Sequence, residues 1–215
     1  MNFSCIILAG GKGLRLGSEK ALEKINSRTL IQHSVSSLIG LGEETIVVTA
    51  PGKTQLGLDG YSGVRVVEDS AAGQGPLIGI YTGLSASNSE LNLVVACDMP
   101  FLNRNLIKFL VSQSNGHDAV IPRMSGLIEP LHAIYRRRTA KFALELTTAG
   151  IFSLSQLLKR INSRFVEEPE INRFDPRHIS FFNINFPEDL TKAREMIKEQ
   201  PLTESGFTAN PSCKS

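Results

Sequence analysis

The feature that most restricts the fold is an alternation. Short, nearly uninterrupted apolar runs recur along the chain: SCIILA (4–9), TIVVTA (45–50), VRVVED (64–69), LNLVVACD (91–98), DAVIP (118–122), PLHAIY (130–135) and ISFFNIN (179–185). A strand with one wet face alternates polar and apolar residues, whereas continuous runs of this length predict strands covered on both faces. Helical patterns lie between them. TLIQHSVSSLIGLG carries Leu30, Ile31, Val35 and Leu38 on one face and stops at glycine. NRNLIKFLVSQSNG offers Asn103 as N-cap, an apolar face of Leu106, Phe109 and Leu110, and Gly116 near its end. PEDLTKAREMIKE begins with Pro187 and follows it with two acids, as a helix N-terminus prefers. Connections too long for hairpins join these elements, so the chain predicts an α/β fold: a Rossmann-like, doubly wound, mainly parallel sheet with helices on both faces.

A chain of 215 residues can bury one real core, and a single domain over residues 1–199 is expected. From about Gly126 to Asp175 the pattern is less regular, two helices and an apparent loop, VEEPEINRFDPRH. The final stretch, 200–215, is polar, proline-containing and aperiodic, and reads as a disordered tail. No apolar run approaches the roughly eighteen residues of a membrane span, and no basic region precedes the first apolar run as in an export signal. Cys5, Cys97 and Cys213 are odd in number, far apart and in no CxxC or Cys/His spacing. A disulfide framework or zinc site is therefore not expected, and a reducing cytoplasm is. The formal net charge is +2 with both signs interspersed, which argues against a nucleic-acid partner and towards a small molecule.

Ligands of open α/β sheets sit beyond the carboxyl ends of the strands, and the first strand ends in LAGGKGLRLG (8–17). Glycines there let the backbone approach a ligand and turn N–H groups inward, an arrangement that binds phosphate. Arg15 and Lys20 add positive charge within reach of the same loop. A P-loop needs GxxxxGK followed by Ser or Thr, and this loop has no such run. The dinucleotide fingerprint is only partly imitated by Gly11, Gly13 and Gly17, and the next strand ends in VVTAPGK without a ribose-binding acid. A triphosphate that loses pyrophosphate makes better use of two cations. Asp98 ends an apolar run and precedes Met99 and Pro100, so it is a carboxylate at a strand terminus on the phosphate edge, suited to hold Mg²⁺. Asp69 ends another strand on that edge, where it serves either a ligand or a turn. In GQGPLIGI, Gly73, Gly75 and Gly79 allow close backbone approach, and Pro76 starts a helix whose N–H groups face the ligand.

LAGGKGLRLGSEKAL resembles the LAGGxxxRMGxxK signature of the nucleotidyltransferases that make the molybdenum cofactor dinucleotide, specifically the molybdenum cofactor guanylyltransferases. VVEDSAAGQGPLIGI, VVACDMPFL, EPLHAIYRR and FFNINFPEDL resemble further segments of that family in the same order, so the resemblance spans about residues 3–197. It implies a nucleotide-diphospho-sugar transferase-like fold, Mg²⁺ as cofactor, and GTP and molybdopterin or its molybdenum-loaded form as substrates. It implies nucleotide binding by Leu8, Ala9, Gly10, Gly11, Gly13, Lys20, Asp69, Gly75 and Asp98, with Arg15, Lys20 and Asp98 catalytic. It also implies an acceptor side over about 126–186, with Glu129, Asn183 and Asn185 as contacts, and leaves room for cofactor-biosynthesis or molybdoenzyme protein partners. Gly10 favours guanine, because the family's cytidylyl relatives usually carry LAAG and a methyl group there would crowd a purine. The chain departs from the family at VVTAPGK, where Asn is usual, and at Phe186, where Thr is usual. Rival readings are a cytidylyltransferase, an NTP-transferase for another phosphorylated acceptor, and a non-catalytic nucleotide- or cofactor-binding adaptor. His33, His117, His132 and His178 are isolated and read as structural, Cys97 reads as a small buried hydrophobe, and the RRR of 136–138 reads first as a solvated helix start.

Overall fold

The computed structural model describes residues 2–10, 20–69 and 74–199. In chain order its strands are β1 (Phe3–Leu8), β2 (Lys24–Ile25), β3 (Arg28–Thr29), β4 (Thr45–Thr49), β5 (Val64–Glu68), β6 (Leu91–Ala96), β7 (Ala119–Met124), β8 (Leu127–Ile128), β9 (His132–Arg136) and β10 (Ser163–Glu167). The helices are α1 (Leu30–Leu38), α2 (Pro76–Ala86), α3 (Arg104–Ser112), α4 (Thr139–Thr148), α5 (Leu154–Leu158), α6 (Glu168–Ile171) and α7 (Pro187–Glu199). Eight strands form one sheet in the order β10-β7-β9-β6-β1-β4-β5, with β8 attached to β7. Along that path only β9 runs against the others. β2 and β3 form a separate small hairpin.

The apolar runs of β1, β4, β6, β7 and β9 are strands buried along most of their length, as their pattern requires, whereas β5, at the edge of the sheet, is half-buried or exposed. Cys5, Ile7, Val47, Leu93 and Val95 face one apolar layer with α1 and α3, while Ile6, Ile46, Val48 and Val94 face the other with α2 and α4. A third, smaller cluster joins Ile25 and Leu30 to Ile184, Leu190 and Ala193, so the β2–β3 hairpin and α7 share a private core. Local chemistry fixes the helix starts. Thr29 and Gln32 make a reciprocal capping box at α1, and the Asn103 side chain accepts from the N–H groups of Asn105 and Leu106 at α3. At α7, Asp189 accepts from the N–H groups of Asn185 and Phe186 at 3.0 and 2.9 Å, so the first turn is closed without the hydroxyl that Phe186 lacks.

α2 lies unusually close to β1. A methyl group on Gly83 would overlap the Ile6 side chain, and one on Gly79 would come within 3.3 Å of Leu8 Cδ2. Gly83→Ala is therefore expected to cost about 1–3 kcal/mol through overpacking, read as a lower midpoint of urea unfolding with an unchanged slope. The pairing also sets direction: Gly79 meets Leu8 and Gly83 meets Ile6, so α2 runs antiparallel to β1 and aims its N-terminus at the carboxyl edge of the sheet.

Two expectations from sequence need correction. The run 179–185 is not a strand. Asp175 Oδ1 and Oδ2 accept from the N–H groups of Ile179 and Ser180 at 3.1 and 2.8 Å, which winds Ile179–Phe181 into a 3₁₀ turn before the chain extends towards Asn185. The supposed loop after residue 166 holds the end of β10 and the short α6. β10 pairs in parallel with β7, and only Val166 along it is fully buried, so its sequence lacks the continuous apolar signature of the inner strands.

Candidate active site

The chain leaves β1 for β4 and β5 on one side and returns at β6 on the other, which makes the carboxyl ends of β1, β4 and β6 the topological switch point. These ends are held level. Ala9 donates its N–H to the Val48 carbonyl at 2.7 Å, and Cys97 donates to the Leu8 carbonyl at 3.1 Å. Leu8, Ala9 and Gly10 thus run along the rim, with Asp98 one residue past Cys97. Gly11, Gly13, Arg15 and Gly73 lie outside the described residues.

Lys20 opens the 3₁₀ turn Lys20–Leu22 that leads into the β2–β3 hairpin. Its Nζ donates to Asp98 Oδ2 at 2.5 Å and to Asn185 Oδ1 at 2.7 Å, and the Lys20 and Asp98 side chains are each only 15% exposed. The main chain reinforces this junction, because Ile184 donates its N–H to the Asp98 carbonyl at 3.0 Å. The hairpin that follows Lys20 and the helix that follows Asn185 are joined by their own apolar cluster. Three of the expected residues, from distant parts of the chain, therefore meet at one point.

Asp98 Oδ1 is buried and has no hydrogen-bond partner among the described residues. Buried carboxylate oxygens are rarely left so, and one whose sister oxygen holds an ammonium suits a hard cation. Among the described residues no group of three or more His, Cys, Asp or Glu gathers as a metal cage. That pattern fits Mg²⁺, which usually takes one or two carboxylates and completes its shell with substrate phosphates and water. Glu129 sits between β8 and β9, its N–H donated to the Pro122 carbonyl at 2.9 Å. Burial, and then the charge of Asp98, push its carboxyl above the usual range. Glu129 thus feels the Asp98 charge and holds a proton more readily than a surface glutamate.

The remaining expected residues are placed less centrally. Asp69 follows β5 and its Oδ1 accepts from Thr82 Oγ1 at 3.4 Å, which puts it on the α2 flank of the rim. Gly75 caps α2 with φ 92° and ψ 176°, a conformation essentially reserved for glycine, and its neighbours Pro76 and Leu77 begin the helix end that faces the edge. Asn183 donates to its own neighbour, the Phe181 carbonyl, at 3.2 Å, and does not join the Lys20 junction. At VVTAPGK, Thr49 Oγ1 donates to the Lys53 carbonyl and Gly52 N–H to Glu68, forming a turn that borders Gly10.

Cys97 and the arginine run do not join this junction, and Arg136 ends β9 where a solvated helix start was expected. Burial, and then the neighbouring Asp98 charge, push the Cys97 thiol up to about 12, so it is no nucleophile at neutral pH. Because β9 is antiparallel, Arg136 pairs with Leu91 at the opposite end of the sheet from Asp98. Arg136 donates to the Ser114 and His117 carbonyls, Arg137 to the Ser87 carbonyl, and Arg138 to Asp118. The arginine run therefore ties loops together and does not meet the site. What pattern reading missed is the Lys20–Asn185 contact, for which the sequence holds no local signal. Among the described residues no helix is long and apolar enough to cross a membrane.

Comparison with known proteins agrees with this geometry. A protein of Pelotomaculum thermopropionicum named "probable molybdenum cofactor guanylyltransferase" is 34% identical, covering 90% of this chain and 92% of its own. The molybdenum cofactor guanylyltransferase of Desulfosudis oleivorans is 31% identical over 90% of this chain and 95% of its own. The crystal structure of the molybdopterin-guanine dinucleotide biosynthesis protein A of Archaeoglobus fulgidus superposes with a TM-score of 0.78 at 28% identity, covering 92% of this chain and all of that one. A nucleotidyl transferase of Methanothermobacter thermautotrophicus shares the fold, with a TM-score of 0.72 at 22% identity. The fold is that of the nucleotide-diphospho-sugar transferases. The family of the MobA-like NTP transferase domain matches residues 5–164, and with these relatives it shows that the chain belongs to that family.

Proposed function

We propose that the protein transfers GMP from GTP to the terminal phosphate of molybdopterin, or of its molybdenum-loaded form, releasing pyrophosphate. The observation that carries this reading is the meeting of Lys20, Asp98 and Asn185 at the switch point of the sheet, where a phosphate-bearing ligand would lie. An oxygen of the acceptor phosphate bonds to the α-phosphorus of GTP, the bond from that phosphorus to the bridging oxygen of the β-phosphate breaks, and pyrophosphate leaves. No covalent enzyme intermediate is needed, so the chain's contribution is position, charge and exclusion of water.

In this reading Lys20 and Arg15 neutralise charge on the α-phosphate and the leaving group. The N-terminus of α2 supplies further N–H donors on the same edge. Asp98, through its unpartnered Oδ1, would hold Mg²⁺ with phosphate oxygens completing the shell. When bound, the cation screens the phosphate oxygens and eases departure of pyrophosphate. Glu129 would face the acceptor, its raised affinity for a proton suiting a hydrogen bond to an anionic phosphate. The segment 126–186, with Asn183 and Asn185, would form much of the acceptor side, and the N-terminal half the nucleotide side of one domain.

Gly10 supports guanine. Among the described residues, a Cβ at this position would meet the Ala50 nitrogen at 3.5 Å and the Thr49 carbonyl carbon at 3.8 Å, which are ordinary contacts. That supports space for a ligand as the reason for glycine here. The test is pyrophosphate release with purified protein, Mg²⁺ and molybdopterin, comparing GTP, CTP, ATP and UTP. Release with GTP alone supports the reading; preference for CTP keeps the chemistry and overturns the base assignment; no release with any of the four, despite GTP binding, favours another acceptor or an adaptor. Gly10→Ala is expected to cut turnover with GTP by about tenfold or more without lowering the melting temperature, a loss of the size one methyl group produces in a fitted site.

A further inference from the structure

We infer that Lys20 is the resting counter-ion of Asp98, held in place by Asn185, and that a triphosphate must draw it away before Asp98 can bind a divalent cation well. Nucleotide and cation therefore load as a pair. The inference rests on the reading that Asp98 holds the cation, and it adds what governs that binding.

The Lys20 ammonium lies 2.5 Å from Asp98 Oδ2 and 2.7 Å from Asn185 Oδ1, between two acceptors in a largely shielded place. Asn185 is fixed in turn. Its N–H is held by Asp189 at 3.0 Å, and the adjoining Ile184 is bonded to the Asp98 carbonyl at 3.0 Å. Asp98 is thus already neutralised by a neighbour that the fold delivers. Among the described residues Oδ1 is the part of the carboxylate left open, on the same group that Lys20 holds.

A divalent cation bound there would stand close to the ammonium of Lys20. In a partly buried site that repulsion is weakly screened. A triphosphate changes both terms: it brings the missing negative charge and offers Lys20 another acceptor. The cation and the nucleotide then assist each other, and linkage requires that assistance to be equal in both directions. Asn185 acts in this as a positioning residue, since it touches the ammonium and not the carboxylate.

The experiment is direct titration of Mn²⁺ by electron paramagnetic resonance, without nucleotide and then with a GTP analogue whose α,β-bridge is methylene. Lys20→Met is expected to bind Mn²⁺ alone about tenfold or more tightly than wild type, the equivalent of one charge-assisted hydrogen bond no longer competing. The further tightening caused by the analogue should shrink by a similar factor. Asn185→Ala, which loosens Lys20 without removing its charge, should move Mn²⁺ affinity the same way by a smaller factor, and it tests the idea if Lys20→Met does not fold. Asp98→Asn added to Lys20→Met should remove the gain. Unchanged, weaker or undetectable Mn²⁺ binding in the folded Lys20 and Asn185 variants overturns the inference, as does a gain that survives Asp98→Asn. Pyrophosphate release separates the two proposals: a protein that turns over GTP but shows no Lys20 effect overturns this inference alone. One that shows the Lys20 effect but releases nothing overturns the proposed reaction alone.

Discussion

Replacing Asp98 by Asn lowers GTP-dependent pyrophosphate release by on the order of a thousandfold, the several kcal/mol expected when a group that holds charge at the reacting phosphates is lost. The substitution keeps the shape of the side chain and an oxygen that can accept from Lys20, so the junction with Asn185 survives. What disappears is the negative charge beside the open Oδ1 position. The variant leaves the shielded Lys20 ammonium without its counter-charge, so the melting temperature should fall as well, and release is compared on protein shown to be folded. The measurement is a pyrophosphate assay at saturating GTP across a range of Mg²⁺ concentrations. Near-normal release at all of them would remove Asp98 from the catalytic machinery and with it the proposed cation site.

His132 produces a large effect of another kind, on stability against pH. The residue pairs with Val95 across β6 and β9, is fully buried, and tilts against the Phe181 ring with centroids 4.7 Å apart. Burial holds its pKa down at about 4, while the Ser180 main chain and the Asp175 carboxylate pull weakly the other way. Among the described residues neither ring nitrogen has a partner with hydrogen-bond geometry. The depressed value means the folded protein keeps the ring neutral where the unfolded chain takes up a proton. Its contribution is therefore fully present above pH 6.5 and is lost as pH falls towards 4, amounting to about 3 kcal/mol across that window. His33 is also pushed down by burial and adds a slope of the same sign, so the informative quantity is a difference. Denaturant unfolding of wild type and His132→Phe at intervals from pH 7.5 to 4.5 should give curves that converge or cross as pH falls, because phenylalanine keeps the packing on Phe181 and has nothing to protonate. Parallel curves would remove His132 as the source.

The site was legible only in part. The place of Asp98 at the carboxyl edge could be read because it depends on a local pattern, a carboxylate ending an apolar strand. Asn185 could be named only through a resemblance, and its contact with Lys20 could not be foreseen at all. Lys20 and Asn185 are 165 residues apart, and what closes that gap is the packing of Ile25 and Leu30 against Ile184, Leu190 and Ala193. The arginines at 136–138 likewise needed the direction of β9 before their distance from the site was known.

The same division runs through the whole protein. The sequence by itself determined the inner strands, since continuous apolar residues are stable only where both faces are covered, and it determined the starts of α1, α3 and α7, since a cap is satisfied within four residues. Tertiary structure decided β10, which is a strand because β7 is there to pair with it, and the 3₁₀ turn at 179–181, which exists because Asp175 reaches its N–H groups. It also decided the union of Lys20, Asp98 and Asn185. Short-range order follows from hydrogen bonds and periodicity within one segment, whereas a site assembled from three segments follows from which apolar surfaces find each other.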